Sequence, residues 1–302
     1  MPRVIEIEDT AAIGLEECVE ALAIAGFDPR DEDSLLHAAL QLRRLGNNRT
    51  FLGEMIVEEL AAALGQGQDT KTYYGPQSIM LAPPAGRGFF MRANIWPSID
   101  DTLMQASDAS NFVYGFPHDH NFDFLTLGYF GPGYSSDYYE YDYEDVVGYR
   151  GEPVDLRFVE RSALSEGKIL HYRAHRDIHS QLPAQSLSVS INVMHGSGAE
   201  GWFDQYAFDL DRRCIARIVS NGANEALLRI AVGTGSEPAL ELARDFGRTH
   251  SSERLRLSAW SALASLEPDV QAKDALWREA ELAGSRLVAA EARLRRSDLA
   301  EA

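Results

Sequence analysis

Apolar positions recur at three- and four-residue spacing through residues 10–66, and that spacing predicts helices. In TAAIGLEECVEALAIAGF the periodic run stops at Gly26, a residue suited to ending a helix. DPRDEDSLLHAALQLRRLG opens with Pro29 among acids and closes with Arg43 and Arg44 before Gly46, the charge order that a helix dipole favours. RTFLGEMIVEELAAALG is a third helical run. Near residue 72 the period shortens. SIMLAPP, GFFMRANIWP, FDFLTLGYF, DYYEYDY, VDLRFVE, KILHYRAHRDIH, SLSVSINVM, WFDQYAFDL and RCIARIVS are short and rich in β-branched or aromatic residues, with Gly, Pro, Asp or Ser between most of them. GPGY at 131–134 reads as a hairpin turn. Many short strands between turn signals predict an antiparallel sandwich or barrel.

From about residue 222 the helical period returns. SEPALELARDFG and SERLRLSAWSAL share a helix-pair pattern faintly similar to HEAT repeats, but two copies are too few for an array, and a helical cap on the barrel is expected. The chain is therefore expected to be mainly β, an antiparallel barrel with α-helical extensions at both ends. The segments are a helical extension over 1–71, the barrel over 72–221 and a helical segment over 222–302.

Composition changes this picture little. Apolar residues make up 45% of the 302 and aromatics 10%, enough to bury a sizeable core. No apolar run is long enough for a membrane span. The start MPRVIEIEDT lacks the charged and apolar regions of a secretory signal. Cys18 and Cys214 lie far apart and neither sits in a C-x-x-C, so two ordinary thiols in a reducing compartment are expected, and with them a cytoplasmic location. The net charge of −18 removes nucleic acid and anionic membranes from the expected partners, because both need a basic face.

The candidate chemistry lies in histidines. Five of the eight fall between residues 118 and 179: His118, His120, His171, His175 and His179. In GFPHDHNFDF a strand would present His118 and His120 on one side, spaced for one metal ion, with Asp119 on the other. In GKILHYRAHRDIHSQ the residues His171, Arg173, His175, Asp177 and His179 share strand parity, so a regular strand turns all five to one side. Such a face is costly to bury without a purpose; the other reading is a solvated face. Neutral imidazole suits iron, copper, nickel and zinc. His37, His195 and His250 are read as structural. No G-x-S-x-G, Walker A or H-E-x-x-H occurs.

Gly115-x-x-His118-x-His120, then Gly167 and His179, resembles the two-part motif of the cupin superfamily over roughly residues 115–195. The resemblance implies a double-stranded β-helix barrel with His118, His120 and His179 as ligands of one metal ion. The carboxylate of the family pattern is displaced: Asp123 falls one position early, and Glu140 comes well beyond. Glu140, with an expected strand partner near Leu125, is the candidate fourth ligand, and His175 is the reserve if the strand bulges near Asp177. A narrower similarity is to three-histidine thiol dioxygenases, since His179 precedes SQLPAQ and a following strand. The histidine of that later strand is replaced by Ser190 or Asn192, so thiol oxidation is not assigned.

The function expected is that of a mononuclear metal enzyme, an Fe(II)-dependent dioxygenase using O2 on a small organic substrate. Zn, Ni, Mn and Cu are the alternative metals. The rival functions are a metal-dependent isomerase, lyase or hydrolase, and a non-catalytic binding protein. Arg173 is the candidate clamp for a substrate carboxylate. Among the tyrosines between Tyr134 and Tyr149, Tyr141 is the catalytic candidate. A homodimer is compatible with these expectations.

Overall fold

The computed structural model describes residues 2–66, 77–107, 109–196, 198, 201–219 and 222–301. The expected boundary at residues 71–72 lies outside them, as does residue 221. The chain divides into two compact units, one of residues 1–141 with 156–200 and one of residues 142–155 with 201–302. Among the described residues no helix is long and apolar enough to cross a membrane.

In chain order the first unit contains β1 (Arg3–Ile5), α1 (Leu15–Ala25), α2 (Glu32–Asn47), α3 (Phe51–Gln66), β2 (Ser78–Ala82), β3 (Phe89–Trp96) and α4 (Thr102–Ala106). It continues with β4 (Phe124–Phe130), β5 (Tyr134–Glu140), β6 (Arg157–Leu164), β7 (Ile169–Tyr172), β8 (Asp177–Gln181) and β9 (Ser188–His195). The second unit contains the antiparallel pair β10 (Tyr206–Asp209) and β11 (Cys214–Ile218). Five helices follow it: α5 (Ala223–Gly233), α6 (Glu237–Thr249), α7 (Glu253–Leu266), α8 (Val270–Glu281) and α9 (Arg286–Glu301). They close around Trp260, Trp277, Leu228 and Val288.

The helix signals act as expected. Gly26 ends α1 at φ +78, with its N–H donated to the Leu22 carbonyl. Asp31 caps α2 by accepting from the Ser34 N–H at 2.8 Å. The buried stripe Leu35, Ala38, Leu42 and Leu45 turns α2 toward the sheet.

Six strands pair antiparallel in the order β1-β7-β4-β9-β3-β2. Alternation decides what each face meets. Met91 and Ala93 on β3, Leu125 and Leu127 on β4, Ile169 on β7, and Ile191 and Val193 on β9 pack with Leu22, Leu42, Leu45 and Phe51 of the helices. Each such Leu or Ile contributes about 1.5–3 kcal/mol. The opposite face carries Trp96, Phe124, Leu170, Tyr172 and Met194. These pack with Tyr134, Tyr138 and Leu164 of the second sheet, β6-β5-β8. The result is a sandwich of the two sheets around these side chains.

The closed barrel is not what forms. Among the described residues the strands lie in separate sheets, and β4 and β5, joined by GPGY, enter different ones. GPGY is thus a corner rather than a hairpin. Glu140 pairs with Arg157 and Asp177, not near Leu125, whose neighbours are His171 and Val193. The corner is tight. Gly133 has φ +82, and a Cβ there would overlap the Leu164 carbonyl. Gly133→Ala adds a left-handed-backbone cost to a backbone clash, and the urea midpoint should fall by the equivalent of roughly 3 kcal/mol. An unchanged midpoint would contradict this reading of the corner.

KILHYRAHRDIH, expected as one strand, is likewise two. β7 ends at Tyr172, β8 begins at Asp177, and His175 between them sits at φ +59. The shared parity of His171 through His179 is broken at this turn. His171 shares its face of β7 with Ile169, which packs on the helices, and its Nε2 lies 3.2 Å from Asp123. His179 sits in the other sheet, among the aromatics of the interior.

Candidate metal centre

His118 and His120 lie on an extended segment before β4. A two-way backbone bridge fixes it, the His118 N–H donating to the His179 carbonyl at 3.1 Å and the His179 N–H to the His118 carbonyl at 3.0 Å. The His175 N–H donates to the His120 carbonyl at 2.8 Å. Because i and i+2 share a side, both imidazoles turn the same way, and β8 brings His179 against them.

The three histidines form a buried group whose ligand atoms all lie within 4.8 Å of one another. His179 Nε2 stands 3.2 Å from His118 Nε2 and 3.0 Å from His120 Nε2. At metal–nitrogen bonds of about 2.1 Å, two nitrogens are roughly 3.0 Å apart for a right angle at the ion and roughly 3.4 Å for a tetrahedral one. The observed spacings fall in that interval.

Protonation agrees. Burial pushes His118 down to about 4, although its hydrogen bond to the Phe116 carbonyl acts the other way. Burial also holds His120 and His179 well below the usual imidazole value, with the other histidines of the group adding to it. All three are neutral at pH 7, the form that ligates. The second nitrogens have different partners. His118 Nδ1–H donates to the Phe116 carbonyl at 2.7 Å, which leaves Nε2 as the free base. His179 Nδ1 lies 3.2 Å from the Tyr172 hydroxyl, which lies 3.2 Å from that of Tyr138. Burial raises Tyr172 well above the usual phenol value and raises Tyr138 too, so both remain O–H groups. Among the described residues the buried atoms His120 Nδ1, Thr126 Oγ1 and Gln181 Oε1 have no hydrogen-bond partner.

The other expected site residues lie elsewhere. Glu140 stands outside the group: its carboxylate accepts from Arg173 at 2.8 Å and from Arg176 at 3.1 Å. Arg173 is tied to Asp177 at 2.6 Å as well as to Glu140, and these bonds join β5 to the start of β8. Tyr141 donates to Asp119 at 2.5 Å, a contact set by Asp119 facing away from the two histidines. His175 occupies the turn rather than β8, where Asp177 pairs regularly with Glu140 and no bulge intervenes. Ser190 accepts from the Trp96 indole at 3.0 Å, and Asn192 donates to the Arg92 carbonyl at 3.4 Å.

Three residues near the histidines had gone unnoticed in the sequence. Tyr172 has the parity opposite to His171. Gln181 is two residues beyond His179 on the same face, a signal that strand alternation offered. Arg92, on the inward parity of β3, adds positive charge that acts on both His118 and His120.

An antiparallel sandwich with three convergent neutral imidazoles is a candidate site for one metal ion. No protein-family model matches the chain, and none of the curated proteins does. Among solved structures, a crystal structure of DMSP lyases aligns at 13% identity and a TM-score of 0.24, over 40% of this chain and 47% of the other. A putative mannose-6-phosphate isomerase from Ralstonia eutropha aligns at 15% identity and 0.22, over 42% and 93%. Procruciferin, an 11S globulin from Brassica napus, aligns at 12% and 0.26, over 62% and 36%. The chain thus spans under half the length of the first of these. Overlaps of this size establish neither a fold nor an activity for it.

Proposed function

We propose that this protein is a metal-dependent enzyme of the cupin type, acting on a small organic substrate with Fe(II) as its metal and O2 as co-substrate. The observation that carries the reading is the spacing of the three Nε2 atoms, with His179 at 3.2 and 3.0 Å from the other two. Three protein ligands leave positions open on a divalent ion, where an organic substrate and O2 can be activated side by side.

The chain's own groups supply the rest. The Phe116 carbonyl holds His118 with Nε2 as the free base, and the Tyr172 hydroxyl contacts His179 at Nδ1, away from the nitrogen that faces the other two rings. Phe124, stacked on Tyr172 at 4.4 Å and edge-on to His120 at 4.8 Å, helps keep water from the group. Tyr172 and Tyr138, held as phenols, form a two-hydroxyl chain that ends at His179 and can pass a proton along it.

That hydroxyl chain also favours the second reading, a Lewis-acid isomerase, lyase or hydrolase using Zn, Ni or Mn, in which proton movement is the chemistry. Oxygen uptake separates the two. Fe(II)-loaded protein offered a panel of small organic acids, thiols and phenols should consume O2 with at least one of them, well above the rate of a variant lacking the histidines. Equal substrate conversion under argon by the Zn(II)-loaded protein would refute the oxygenase reading and establish the other.

A further inference from the structure

We propose that the Tyr141 hydroxyl, through its hydrogen bond to the buried Asp119 carboxylate, holds the His118–His120 pair in the place where both imidazoles meet His179 around one metal ion. The inference rests on the metal reading of the three-histidine group. It makes Tyr141 a positioning residue and not a catalytic one.

The segment that carries His118 and His120 lies outside the named strands. Its backbone is held on either side of Asp119, at His118 by the two-way bridge to His179 and at His120 by the His175 N–H. Asp119 between them turns its side chain to the opposite side. Asp119 and Tyr141 are both 0% exposed, and the Tyr141 hydroxyl donates to Asp119 Oδ2 at 2.5 Å. That length is usual for a hydroxyl giving its proton to a carboxylate. A carboxylate buried without such bonds is costly, so this one has a strong hold on where Asp119 sits.

Tyr141 is itself tied to the strand that carries the third histidine. It follows β5 directly, and Tyr138 and Glu140 of β5 pair with His179 and Asp177 of β8. Its own N–H donates to the Arg176 carbonyl at 3.4 Å, just before β8. The connections close on themselves: Asp119 to Tyr141, along the β5–β8 ladder to His179, and back to His118 through the bridge. Because each peptide unit is planar, a shift of Asp119 tilts the Cα–Cβ bonds on both sides of it together. Metal–nitrogen bonds tolerate only about 0.2 Å of such displacement. The hydroxyl acts from the side of the segment away from the imidazoles, so it touches neither ion nor substrate.

The test compares wild type, Y141F, D119N and D119L, freed of metal and titrated with Co(II) against a chelating dye, with the visible spectrum at saturation and the circular dichroism recorded. Y141F should hold Co(II) about tenfold more weakly and show shifted visible bands at saturation, with its circular dichroism unchanged. D119N, which keeps an acceptor oxygen for the Tyr141 hydroxyl, should keep the wild-type spectrum and bind within about threefold of wild type. D119L, which keeps none, should resemble Y141F. Y141F equal to wild type in affinity and spectrum would overturn the proposal. So would weaker binding with an unchanged spectrum at saturation, the pair of results that lost fold stability alone gives. Should Y141F fail to fold, the two Asp119 variants decide: D119N as weak as D119L would make the charge of Asp119, and not its bond to Tyr141, the effective element. Wild type that takes up no Co(II) would defeat the three-histidine reading itself, and this proposal with it.

Discussion

Replacing any one of His118, His120 or His179 by alanine is expected to lower bound metal from about one ion per chain to below about a tenth, and replacing all three to abolish it. Each imidazole supplies a nitrogen at 3.0–3.2 Å from a neighbour, so a single loss leaves two donors and an incomplete shell. The fold should persist. The larger core lies on the far side of the six-stranded sheet, where Leu125, Leu127, Ile191 and Val193 meet the helices, and none of the three histidines belongs to it. Circular dichroism of the triple variant should match wild type while elemental analysis finds no metal. Full occupancy in the triple variant would refute the site; lost secondary structure would refute its independence from the core.

The second large effect is on acid stability. The folded His118 is depressed to about 4 from an ordinary 6.5, because charging it would bury a cation. A depressed group stabilises the fold above its unfolded value and loses that contribution as pH falls through its folded value. Between about pH 6.5 and pH 4 the unfolded chain binds a proton that the folded chain refuses. At ~1.4 kcal/mol per pH unit, His118 alone should cost the metal-free protein about 3 kcal/mol across that window. His120 and His179 shift in the same direction. Bound metal moves the loss to lower pH, since protons must displace the ion first. Urea midpoints of metal-free protein at pH 7.5 and pH 5 should differ markedly more for wild type than for the triple-alanine variant. Equal differences would show that the carboxylates, not the histidines, set the acid limit.

How much of this could be read beforehand depends on which local rule held. The helical period matches α1–α3 and α5–α9, and the strand period matches most of the elements between them, because hydrophobic alternation responds to which faces are buried; β1 and α4, three and five residues long, are too short to show a period. The H-x-H pair was legible for the same reason: two residues on one side of an extended segment need no knowledge of the rest of the fold. Pairing between sheets was not legible. GPGY joins neighbouring extended segments in either a hairpin or a corner, and it is the approach of Gly133 to Leu164, a contact distant in sequence, that selects the corner. Parity failed at residues 173–176 because one positive-φ residue, His175, turns the chain from one sheet to the other. That turn separated His171 from His179 and placed Arg173 against Asp177 and Glu140, whose carboxylates it holds. Tyr172 was missed because its residue type and parity give no hint of the contact with His179; Gln181 was missed although it shares strand parity with His179.

X-ray absorption at the metal edge, on protein purified without oxygen and loaded with one equivalent of Fe(II), tests the three-histidine centre most directly. The first shell should contain only nitrogen and oxygen neighbours at about 2.0–2.2 Å, with the outer-shell scattering of three imidazole rings. A sulfur neighbour, or a spectrum equal to that of hydrated Fe(II), would contradict it.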